Sequence, residues 1–226
     1  MSTQHTFRTG VSRPSANSSG RIVLSRASGA AIVIARIATV FLALCAIIQL
    51  IIVVMFIVDM RSFQPDYSYY SVTMDAGIGS ASIAGHFLDS DIRLADWTTN
   101  VINVPVTLLV GLEHIAIYTL LTLVFGELAA LLAELRDWMR DRVRYGSEVT
   151  PFRAMPIERL ERIGWYLIAT PVSALVISLI CMPFTSVAIS GGAFTGLLIL
   201  LGIISFMFAQ VFNYGAMLQN DVEGLL

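Results

Sequence analysis

Lysine is absent from this chain of 226 residues, and charge of either sign is scarce: fourteen basic residues, all arginine, and sixteen acidic ones make up 13% of it. A soluble domain of this size carries roughly 25% charged residues, so an ordinary water-facing globule is excluded. The formal net charge of −2 offers no broad cationic surface, and direct nucleic-acid binding is not expected. Cysteine is nearly missing as well. Cys45 and Cys181 fall inside apolar runs with no neighbour at metal-ligand spacing, and they read as small buried hydrophobes. There is no internal repeat of the kind that builds inverted-repeat transporters. The chain also lacks a nucleophile–base pair, a histidine-rich ligand set, a phosphate-binding glycine loop and strand–helix alternation. Enzymatic activity, a cofactor and a metal are therefore not expected.

What the sequence has in quantity is apolar length. Hydrophobic residues make up 56% of the chain, and four runs are long enough for a bilayer core, which takes roughly 20 helical residues. They cover about 31–58, 104–132, 163–182 and 193–212. The first run is about twice the length of a signal-peptide core and is expected to remain in the protein as a span. The fold class that follows is an all-α integral membrane protein with four transmembrane helices in a membrane domain over 29–226. The polar, Ser- and Gly-rich stretch 1–28 is expected to be disordered. The outer loop 59–103, with glycines and aromatics but little clear periodicity, is expected to be partly ordered against the membrane, as a small cap or a ligand-sensing surface. Tyr67, Tyr69, Tyr70 and Trp97 suit the membrane interface.

Arginine placement sets an orientation. Twelve of the fourteen arginines precede or begin the first run, or fill the segment 133–162 between the second and third. Residues 59–103 hold only Arg61 and Arg93 against six aspartates, and 183–192 is uncharged. The positive-inside rule then puts both termini and the 133–162 hairpin in the cytoplasm.

Ionisable and strongly polar groups inside a span usually face a bundle interior or water. Arg36 lies near the cytoplasmic end of the first span, where it can snorkel to headgroups. Gln49 lies deeper and suits a hydrogen bond between helices. Glu113 and Glu127 are fourteen residues apart and fall within roughly 40° of one helix face, with Ile117, Leu120 and Val124 between them. His114 points about 100° away from Glu113, so the two need not touch, and neighbours on one helix make a poor metal pair. The arginine-rich flank anchors this helix at its cytoplasmic end, which places Glu113 and His114 toward the outer surface. Interfacial or interhelical hydrogen bonding, sensing of a ligand or of external pH, and metal or catalytic roles all remain open for the pair.

The hairpin 133–162 reads as the second span continuing as a helix to Gly146, then a new helix whose first turn holds Pro156, Glu158 and Glu161. Its two faces are either solvated and headgroup-bound or a docking surface for a partner. Here "YGSEVTPFRAMPIERLERIGW" resembles the signature of a bacterial membrane family, the domain of unknown function 2975. Pro151, Phe152, Arg159, Leu160, Arg162, Ile163, Gly164 and Trp165 carry the match. The tail "FNYGAMLQNDVEGLL" is similar to that family's ending through Phe212, Gly215, Leu218, Asp221, Glu223, Gly224 and Leu225. Arg153, Ala154, Met155 and Pro156 depart from the family's usual Thr-Pro-Glu-Asn, which removes its threonine N-cap.

The resemblance implies a four-span protein of no established activity, often encoded beside a small helix-turn-helix regulator, and hence a sensor or antirepressor in the membrane. On that reading the cytoplasmic partner face comprises Arg140, Arg144, Phe152, Arg159, Arg162, Asp221 and Glu223. Asp221 and Glu223 would latch onto Arg159 or Arg162. The alternatives are a small transporter, channel or immunity protein with Gln49, Glu113, His114 and Glu127 along a path, or an accessory subunit of a larger membrane complex.

Overall fold

Apolar side chains on every face of a helix are stable only when the whole helix is surrounded by protein or lipid. Four helices here have that character. The computed structural model describes residues 18–66, 70–75, 77, 79–145, 154–189 and 192–223. Its long helices are α1 (Ser18–Val58), α2 (Val104–Tyr145), α3 (Ala154–Cys181) and α4 (Ala193–Glu223). The stretches Gly29–Val58, Val104–Trp138, Pro156–Cys181 and Ala193–Leu218 are each long and apolar enough to cross a membrane. α1 begins at Ser18, inside the stretch expected to lack structure; residues 1–17 lie outside those described.

The helices stand in a row. α1 packs on α2, α2 on α3 and α3 on α4, while α1 and α4 hardly meet. The outer helices therefore keep wide apolar faces, with Ile34 and Val211 each 66% exposed. Such surface is stable in lipid and costly in water. The α3–α4 crossing is tight because two glycines meet there. A Cβ on Gly164 would stand 3.1 Å from the Gly202 carbonyl oxygen, and one on Gly202 at 3.1 Å from that of Gly164. Trp165 closes edge-on against Phe206, 5.4 Å between ring centres, and Ser205 Oγ donates to the Leu160 carbonyl at 2.7 Å.

An all-helical chain was the expectation, and the α1–α2 and α3–α4 loops overturn that part of it. Residues 59–103 and 183–192 together build two three-stranded antiparallel sheets. The first has the order β1 (Gln64–Pro65), β2 (Ser71–Asp75), β3 (Ser80–Ala84). The second has the order β4 (His86–Phe87), β5 (Ser90–Ile92), β6 (Val187–Ile189). The sixth strand comes from the α3–α4 connection, so the two loops form one cap. Alternation explains the first sheet: Val72 pairs with Ile83 across β2–β3, and both are fully buried while their neighbours are more exposed.

Gly85 joins β3 to β4 where backbones cross. Its N–H donates to the Tyr70 carbonyl and its carbonyl accepts from Ile92 N–H at 2.8 Å. A Cβ there would lie 1.9 Å from the Ile92 oxygen and 2.8 Å from the Tyr70 oxygen. The cap is continuous with the helix ends: Phe56 of α1, Val106 and Val110 of α2 and Cys181 of α3 share one apolar core with Phe63, Ile83, Ile92 and Leu94.

Candidate functional site

Glu113 lies in the third turn of α2 and is 4% exposed. Its Oε1 accepts from Ser173 Oγ of α3 at 2.8 Å. The same hydroxyl lies 2.9 Å from the Thr170 carbonyl oxygen. Pro171, between these two, has no N–H to give its own helix. An interhelical bond of this kind is worth about 1 kcal/mol in a membrane. His114 does not share that partner. Its Nδ1 is 2.9 Å from the Val110 carbonyl, one turn back on α2. Its ring meets Phe87 of the cap edge-on at 5.7 Å and Tyr118 at 6.3 Å. The adjacent acid and imidazole thus face different neighbours, Glu113 toward α3 and His114 toward the cap. Gln49 of α1 is 8% exposed, with Nε2 buried and unpartnered; Arg36 is exposed on α1.

Glu127 shares the α3-facing side of α2 with Glu113, as the helical spacing requires. Arg159 Nη1 meets Glu127 Oε2 at 2.6 Å, and Arg159 Nε meets Glu134 Oε1 at 2.9 Å. Glu127 and Glu134 are two turns apart on one face, which lets one guanidinium bridge them. Arg162 adds a 3.4 Å contact to Glu127 and a 3.7 Å contact to Glu158. Two carboxylates of α2 and two guanidiniums of α3 thus stitch α2 to the start of α3.

Among the described residues Arg159 and Arg162 pair with these carboxylates and not with Asp221, which is exposed. Phe152 lies outside the described residues, as do the side chains of Arg140, Arg144 and Glu223. Of the matched stretch "RIGW", Gly164 and Trp165 serve the α3–α4 crossing described above.

The cap adds a site that sequence reasoning missed. Residues 93–103 double back through the Ala95–Ile102 bridge, and residues 184–186 run alongside. Asn103 Nδ2 donates to the Phe184 carbonyl at 3.1 Å, and Thr185 Oγ1 donates to the Arg93 carbonyl at 2.8 Å. Between these segments lies a cleft of about 480 Å3, lined by Arg93, Asp96, Trp97, Asn103, Phe184 and Ser186 among others. Beside it the Arg93 guanidinium stands 5.5 Å from the Tyr70 ring. Tyr70 leans on His86 at 5.0 Å, and His86 Nδ1 is 2.7 Å from Asp91 Oδ1.

The cap is also fastened to α3 and α4. Ser178 Oγ of α3 donates to Ser90 Oγ at 3.0 Å. Asp89 Oδ2 accepts from Thr195 N–H in the first turn of α4 at 2.7 Å. A Cβ on Gly192 would fall 1.5 Å from Asp89 Oδ1, so glycine there leaves room for a capping carboxylate supplied by another loop. Among the described residues no three His, Cys, Asp or Glu side chains gather as a metal site. No family model, curated protein or solved structure matches the chain.

Proposed function

We propose that this chain is a multi-pass protein of the bacterial plasma membrane that acts as a sensor or as a regulatory partner of a cytoplasmic protein. Its termini and the 133–162 hairpin face the cytoplasm, and the cap faces outward, a reading supported by the arginine distribution. The observation that carries the proposal is the shared construction of cap and helices. Both outer loops form one folded unit, that unit shares its core with the ends of α1, α2 and α3, and α2 and α3 run on to the arginine-rich hairpin. Whatever alters the cap bears directly on the α2–α3 pair. Glu113–Ser173 and Glu127–Arg159, at opposite ends of the pair, are polar contacts through which it would hold or change its register. The resemblance of the hairpin and tail to the domain of unknown function 2975 points the same way and makes a small helix-turn-helix regulator the first partner to try.

The test is affinity purification of the full chain in mild detergent with mass spectrometry of what accompanies it. A cytoplasmic protein recovered in fixed ratio, and lost when Arg140 and Arg144 are both changed to Glu, supports the reading. Identical recoveries from the native and doubly substituted chains would overturn it. So would solute or proton flux through proteoliposomes that stops with Glu113→Gln, which instead favours a transporter.

A further inference from the structure

The seam between the two outer loops is open, and its chemistry is specific. Its volume of about 480 Å3 falls within the roughly 300–1,000 Å3 typical of small-ligand sites. One cation and one anion line it, Arg93 and Asp96, and among the described residues they form no ion pair with each other. Arg93 Nε is buried without a hydrogen-bond partner. Asp96 Oδ1 accepts from Thr98 N–H at 2.7 Å, Thr98 Oγ1 at 2.5 Å and Thr99 N–H at 3.0 Å. Those bonds hold its carboxyl at about 2, well below the usual carboxylate range, so it is anionic at neutral pH. Trp97, Val101 and Phe184 around the cleft are 66%, 61% and 65% exposed. They sit beside the first turn of α2 and the end of α3, the level at which spanning helices leave the hydrocarbon and aromatic side chains collect.

We propose that this cleft seats the headgroup of a zwitterionic phospholipid, with its phosphate on Arg93, its ammonium toward Asp96 and its acyl chains descending past Val101 and Phe184. A phosphodiester supplies an anionic partner for Arg93, the one cation lining the cleft. An ammonium matches the fixed charge of Asp96. One arginine and one aspartate sum to zero, which suits a zwitterion better than an anionic lipid. A free phosphate–amine compound shares this polar chemistry but has no use for the apolar rim. The inference needs only a bilayer crossed by the helices with the cap at its surface. It does not depend on the signalling role, and either can fail without the other.

Native mass spectrometry of the full chain, offered dioleoyl phosphatidylethanolamine, dioleoyl phosphatidylglycerol and dioleoylglycerol at equal concentration, tests it. The expected result is retention of the ethanolamine lipid about tenfold over the other two, reduced about tenfold by Arg93→Gln and by Asp96→Asn and only partly by Arg93→Lys. Protease resistance of residues 59–103 is followed in each variant. Because Asp96 is exposed and outside the apolar core, Asp96→Asn decides the matter if Arg93→Gln opens the cap. Equal retention of the glycerol lipid, or unchanged retention in Asp96→Asn with an intact cap, would overturn the proposal. So would free phosphoethanolamine binding as tightly as the lipid, which makes the cleft a site for a soluble ligand.

Discussion

At the end where α2 begins, α2 and α3 are joined through short strands, neutral hydrogen bonds and a shared apolar core. At the end where α3 begins, the same two helices are joined by arginine–glutamate contacts. The first arrangement uses groups such as Ser178–Ser90 and Asn103–Phe184, whose partners do not depend on charge. The second uses Arg159 between Glu127 and Glu134, with side chains 28%, 16% and 31% exposed, so it sits between a surface pair and a buried one. Insensitivity to salt belongs to the cap end; sensitivity to salt and to charge reversal belongs to the hairpin end.

The largest break in that comparison comes from Gly85→Ala. The methyl group would meet two backbone oxygens that cannot yield separately, so the cap loses about 3 kcal/mol or fails to close. Limited proteolysis should then cut within 59–103 while the α2–α3 contacts near Glu127 stay intact. A variant whose protease pattern matches the native chain would mean that the crossing relaxes.

A smaller effect, at the other end, follows from Arg159→Ala. It leaves two half-buried carboxylates facing each other and should cost about 2 kcal/mol in detergent melting, a loss that shrinks in high salt. The paired exchange Glu127→Arg with Arg159→Glu should recover part of it, and a lack of recovery would remove the pairing as the cause. The smallest effect is expected at the join between cap and α4. Asp89→Ala should cost about 1 kcal/mol, read as faster amide exchange in residues 193–196 with little change elsewhere.

The spans were legible because their signal is additive: each apolar run is long enough that no single residue decides it. Helical spacing was legible too. Glu113 and Glu127 both turn to α3, and His114 turns elsewhere, as about 100° per residue requires. The strands of the cap were not read, although half of their signal is present. "SVTMDAGIGSASIA" holds two five-residue strands with Val72 and Ile83 inward, separated by glycines, and Asp75 accepts from Gly77 N–H at 2.9 Å within that turn. The other half has no local signal. β6 is three residues in an uncharged turn, and its partner β5 lies far back in the chain. The α2 glutamates that meet Arg159 were not read for a similar reason. From sequence, the acidic tail and the glutamates of α2 are equally available, and only the α2–α3 packing favours the second.

Asp89 and Gly192 bear on how the chain is put together. The carboxylate that caps α4 belongs to a loop 106 residues before the amide it accepts from, and any side chain at position 192 would collide with it. The first turn of α4 therefore closes on that carboxylate only where the loop after α1 holds it in place.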